Sequence, residues 1–76
     1  MRYRIEYLTE TTEQNSVCHT RSISSENLTI AQFQAHAWSA TPRTLYGAGG
    51  FQIRDLSDSG RIVAIETFNG PVAYIN

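Results

Sequence analysis

The first eight residues constrain the fold most. From Arg2 to Leu8 polar and apolar side chains alternate, with Tyr3, Ile5 and Tyr7 in one phase and Arg2, Arg4 and Glu6 in the other. A period of two is the signature of an extended strand with one covered and one wet face. Such strands belong to antiparallel sheets that pack on one side only. A chain of 76 residues has room for one sheet and one covering layer, so we expect a single domain over residues 1–76. A domain of this size buries about 60% of its unfolded surface and has a stability near 5 kcal/mol.

The remaining pattern supplies the other elements. Thr9 to Asn15 is polar and reads as a loop. A second strand is expected from about Ser16 to Ile23, with Val17, His19, Arg21 and Ile23 on one face. The mixed character of that face suits an edge position. Thr29 and Gln32 stand three apart, as in a capping box, with Leu28 and Phe33 at hydrophobic-staple spacing. The helix that follows is expected to turn Ile30, Phe33, Ala37 and Ala40 inward, with Gln32, His36 and Ser39 outward. Pro42 is expected to end it.

Thr44 to Gly50 reads as a glycine-rich connection. Phe51 to Leu56 is expected as a third strand, with Phe51 and Ile53 in phase. Residues 57–60 form a turn, and Arg61 to Phe68 a fourth strand. Asn69-Gly70 is a strong hairpin signal, returning the chain as a fifth strand from Val72 to Ile75. Val63, Ile65, Val72 and Tyr74 make a candidate core patch. Ile62, Ala64, Phe68, Ala73 and Ile75 lie on the other face, an apolar excess that suits either a mid-sheet strand or a self-association surface. The expected fold is α+β, in the order ββαβββ, with a single helix on one face of a mainly antiparallel sheet.

Chemistry-bearing residues are sparse. Cys18 and His19 are adjacent on a strand, so their side chains point to opposite faces and do not form a nucleophile–base pair. One Cys and two His on separate elements do not make a zinc site. Residues 45–50 contain three glycines but lead into a strand and lack a Lys, unlike a phosphate loop. Asp55 and Asp58 flank a turn, where Asp is used for local hydrogen bonds. Glu66 sits mid-strand, to be paired with a neighbouring Arg or left to solvent. We therefore expect no catalytic residue, metal or cofactor, and a protein that works by binding.

Charge narrows the partner. The net charge of −1 argues against a strongly electrostatic nucleic-acid binder and against a polyanionic DNA mimic. All six basic residues are Arg. That is either compositional bias or a choice of the planar guanidinium fork, which grips carboxylates and phosphates at two points. On the second reading Arg2, Arg4, Arg21, Arg43 and Arg54 are the candidate partner-binding residues, and Arg2, Arg4 and Arg21 form a patch on the open sheet face. RNA-binding sheets add exposed aromatics, but Tyr3 and Tyr7 share the core face with Ile5. A lone cysteine permits no internal disulfide. Without an apolar run of about 18 residues or a signal-peptide core, a cytoplasmic location is expected.

Ile65-Glu66-Thr67-Phe68-Asn69-Gly70, followed by Ala73-Tyr74, resembles the C-terminal hairpin of small phage-encoded anti-CRISPR proteins that inhibit type I systems. The strict match covers about eight positions; from Leu28 onward only the general plan is similar. The resemblance implies inhibition by occupation: such proteins bind a crRNA-guided surveillance complex in the host cell and block target DNA binding or cleavage. It carries no functional residue over by position. Two rival expectations come from the residues themselves. One is a nucleic-acid-binding or regulatory accessory protein using the Arg-bearing face. The other is a homodimeric module closed by the C-terminal hairpin.

Overall fold

In the computed structural model, residues 1–9 and 16–68 are described. They form β1 (Arg2–Leu8), β2 (Val17–Ser24), α1 (Leu28–Ala37), α2 (Ala40–Tyr46), β3 (Gly50–Asp55) and β4 (Arg61–Thr67). The fold is α+β: the strands make one antiparallel sheet in the order β2-β1-β3-β4, and the helices lie on one face of it. Within the described residues the element order is ββααββ, not ββα followed by three strands. The expected fifth strand, Val72 to Ile75, lies outside the described residues.

The alternation of β1 holds. Tyr3, Ile5 and Tyr7 are buried and pair with Asp55, Ile53 and Phe51 of β3. The core is this aromatic-rich face together with Ala31, Ala35, Ala48 and Phe68. β2 lies at the edge, as its mixed face suggested. A register shift between Tyr7 and Leu8 takes Val17 out of phase with Ile23. Val17 is therefore exposed while Ile23 packs against the core.

The helix departs from expectation in three ways. Its N-cap is Asn27, two residues before Thr29; the Asn27 side chain accepts the Ile30 N–H at 2.9 Å, which satisfies a donor the first turn leaves open. Its orientation is reversed. Ala31 and Ala35 are fully buried, whereas Phe33 is 77% exposed and Ile30 43%. Ala37 and Ala40 are exposed too. The sheet explains this, because Tyr3, Tyr7 and Phe51 already fill the space above it. Only small side chains let the helix approach, and at that approach the Tyr7 hydroxyl donates to the Ala35 carbonyl at 2.6 Å.

Pro42 does not terminate the helical region but begins a second helix. It falls in the first turn of α2, where an N–H would have no helical partner. Continuous helix through Trp38 is excluded, since Pro42 cannot donate to the Trp38 carbonyl and its ring would press on it. The break is closed by the Ser39 N–H and hydroxyl, which both donate to the His36 carbonyl. Gly47 then ends α2 in the left-handed region, φ 69°. Gly49 runs close to β1, where a Cβ would lie 3.2 Å from the Thr9 carbonyl oxygen.

In β4 a register shift between Ile53 and Arg54 separates Val63 from Ile65, which a straight strand would place together. Val63 packs against the core, while Ile65 is 59% exposed on the far face. The other half of the expected patch, Val72 and Tyr74, lies outside the described residues.

Candidate interaction surface

The face of the sheet away from the helices carries no covering layer among the described residues. β1 contributes Arg2, Arg4 and Glu6 to it. The register sets Ser24, Ser22 and Thr20 of β2 beside them on one flank, and Arg54 and Gln52 of β3 beside Arg4 and Glu6 on the other. Ile65 and Ile62 of β4 follow next to Gln52 and Arg54.

One carboxylate organises the centre. Arg4 and Arg54 are direct cross-strand partners, an arrangement that repels unless a negative charge lies between. Glu6 supplies it. Its carboxylate accepts from Arg54 Nε at 2.9 Å and Gln52 Nε2 at 2.6 Å, with Arg4 Nη1 at 3.8 Å. Glu6 is only 7% exposed, and two hydrogen-bond donors with the more distant Arg4 cation offset the cost of removing its charge from water. Arg54 also donates through Nη1 to the Gly60 carbonyl at 3.0 Å, which fixes the guanidinium to the β3–β4 turn. Arg4 keeps an exposed guanidinium, and Arg2 is exposed at the end of the strand. Among the described residues, three arginines against one carboxylate leave this part of the face positive.

The expected patch of Arg2, Arg4 and Arg21 is corrected. Arg21 pairs with Ile5 and so belongs to the helix side, where its guanidinium lies over the Trp38 ring at 4.0 Å from the centroid. Arg54, named as a candidate without a position, takes its place beside Arg4. Arg43 sits on α2 with its guanidinium 4.8 Å from the Phe68 ring centroid, also away from the open face.

The helix side holds a second polar cluster. Glu66 accepts from Gln32 Nε2 at 3.0 Å and lies 2.7 Å from His36 Nε2. Its partners are thus two residues expected to face solvent, not an Arg. His36 stands edge-on to Phe51, with ring centroids 5.1 Å apart. His19 stacks on Tyr46, 5.7 Å between centroids. These contacts fasten α1 and α2 to the sheet. The reversed helix is what brings Gln32 and His36 to Glu66, and nothing in the helix's own periodicity signals it.

Reactive groups are held quiet. Burial pushes the Cys18 thiol above its ordinary value, with a backbone hydrogen bond opposing, so the nucleophilic thiolate is scarce. The Tyr7 hydroxyl is pushed up to about 12, chiefly by burial and against the nearby charge of Arg21. Among the described residues no group of three or more His, Cys, Asp or Glu is placed to hold a metal ion. No buried side-chain nitrogen or oxygen there lacks a hydrogen-bond partner, and no helix is long and apolar enough to cross a membrane. Comparison with family models, curated proteins and solved structures finds no match.

Proposed function

We propose that the protein acts without catalysis, by laying the open face of its sheet against an acidic surface of a larger protein assembly. The observation that carries this reading is a face that no described helix or strand covers, with exposed Arg2 and Arg4 beside Arg54 and the last two flanking the buried Glu6. Guanidinium groups held in place by a buried carboxylate lose little further entropy when they grip a second one. Ile62 and Ile65 add an apolar margin on β4, as protein interfaces commonly have.

The hairpin resemblance supplies a candidate assembly, a type I crRNA-guided surveillance complex in the cytosol of a host cell, blocked before it binds or cleaves target DNA. The test is target-DNA binding by such a purified complex with and without the protein. The double variant Arg2→Glu/Arg4→Glu should fold and lose inhibition. Absence of inhibition by the unmodified protein would remove this partner. Full inhibition by the double variant would remove the face.

Direct nucleic-acid binding is the weaker reading. Tyr3, Tyr7 and Phe51 all lie on the helix side, so the open face, among the described residues, offers no aromatic ring for base stacking. A steep loss of affinity with salt would favour that reading instead.

A further inference from the structure

The outer edge of β2 differs from the open face, because what it offers is backbone. Among the described residues β2 pairs with β1 alone, and the hydrogen-bond phase fixes which of its groups point outward. The Ser25 N–H donates to the Met1 carbonyl at 2.9 Å, and the register continues through Arg2↔Ser24 and Tyr3↔Ile23 to Tyr7↔His19. Hydrogen-bonded and non-hydrogen-bonded pairs alternate in an antiparallel ladder. Ile23, Arg21 and His19 therefore turn their peptide groups toward β1, and Ser24, Ser22 and Thr20 turn theirs away from the sheet.

Sheet edges are usually blunted by Lys, by Pro, by an inward-pointing charge or by a bulge, and the one register shift of β2 lies near its start, between Val17 and His19, outside Thr20 to Ser24. β2 has neither Lys nor Pro. Its one formal charge, Arg21, is folded back over Trp38. The residues that present the outward backbone carry short hydroxyl side chains. In β1, β2 and the turn that leaves β2 the charged residues are Arg2, Arg4, Arg21, Glu6 and Glu26, and Glu6 is already engaged by Arg54 and Gln52.

We infer that the outer edge of β2 docks an extended polypeptide segment carrying carboxylates at alternate positions, which joins the sheet as a further strand through Thr20, Ser22 and Ser24. Strand addition takes its affinity from main-chain hydrogen bonds and its selectivity from alternate side chains. The positive balance of β1 and β2 selects for acid. A second copy of the chain brings the same positive strands and is disfavoured as the occupant. The inference goes beyond the open-face reading, because it concerns one edge and not the arginine side chains of the face.

The test uses the full chain, isotope-labelled, and a blocked peptide alternating valine and glutamate, long enough to span Thr20 to Ser24. The peptide should shift the amide signals of Thr20, Ser22 and Ser24 and slow their hydrogen exchange. Ser22→Pro removes an outward N–H without touching the β1 ladder and should weaken binding at least about tenfold, roughly the contribution of one well-made hydrogen bond. Ser22→Ala should bind within about twofold of the parent. A valine–lysine peptide should bind at least about tenfold more weakly than the acidic one. The fully N-methylated acidic peptide should not bind, a comparison that needs no protein variant. Equal binding of the N-methylated peptide, or protection that misses these amides, would overturn the inference. So would a dimer protecting the same amides. Failure here, with Arg2→Glu/Arg4→Glu still abolishing inhibition, would sink the edge and leave the face.

Discussion

The Tyr7 hydroxyl donates to the backbone carbonyl of Ala35 at 2.6 Å, joining the end of β1 to the last turn of α1 through a buried bond. It sets the height and rotation of the helix above the sheet. Tyr7→Phe leaves that carbonyl without its partner and should cost about 1–2 kcal/mol, read as a lower denaturant midpoint with an unchanged slope.

The same bond gives a pH dependence. The Tyr7 hydroxyl ionises near pH 12 in the folded protein and near 10 in the unfolded chain. Between those values the unfolded chain has released a proton that the folded protein retains. Stability is thus fully present below pH 10 and falls as pH rises through 12, by at most about 3 kcal/mol. Denaturant midpoints across this range should decline more steeply for the parent than for Tyr7→Phe. Parallel curves would count against a buried, neutral phenol.

The helix rotation makes an unusual pair of predictions. Phe33 is the largest apolar residue of α1, yet it is 77% exposed. Phe33→Ala should change stability by less than about 0.5 kcal/mol, in place of the 3–5 kcal/mol that loss of a core Phe costs. Ala35→Leu, in contrast, should cost roughly 1–3 kcal/mol or more, since it forces α1 away from Tyr7. Thermal melts of the two variants decide between the helix poses.

Glu6 and the arginines it aligns respond asymmetrically. Glu6→Ala leaves Arg4 and Arg54 as facing cations with no charge between them, and should cost about 1–3 kcal/mol. Adding Arg54→Met should recover part of that loss. A double-mutant cycle measures the coupling.

Arg21 is separable from Arg4 by spectroscopy. With its guanidinium 4.0 Å from the Trp38 ring centroid, Arg21→Ala should shift the emission of the single tryptophan and cost about 0.5–1 kcal/mol. Arg4→Ala should leave the emission unchanged. Identical spectra for all three proteins would contradict the placement of Arg21 on the helix side.

Much of the fold was legible in the sequence because strand signals are local. The alternation of Tyr3, Ile5 and Tyr7 fixed the covered face of β1, and the phase of Phe51 and Ile53 fixed that of β3. The turn at residues 57–60 and the edge position of β2 were also readable. So were Arg2, Arg4 and Glu6 as one group on the wet face, since parity along a single strand needs no partner.

Sequence by itself determined the four described strands to within a residue or two, the turn between β3 and β4 and which side of β1 is buried, because backbone sterics and period-two patterning act within a few residues. Tertiary structure alone decided the rest. The helix stripe with the larger apolar side chains faces outward, since the aromatic sheet has room only for Ala31 and Ala35. Glu66 found Gln32 and His36 for the same reason. Arg54 joined Arg4, and Arg21 left it, because register between strands is set by packing over the whole sheet and no single strand encodes it.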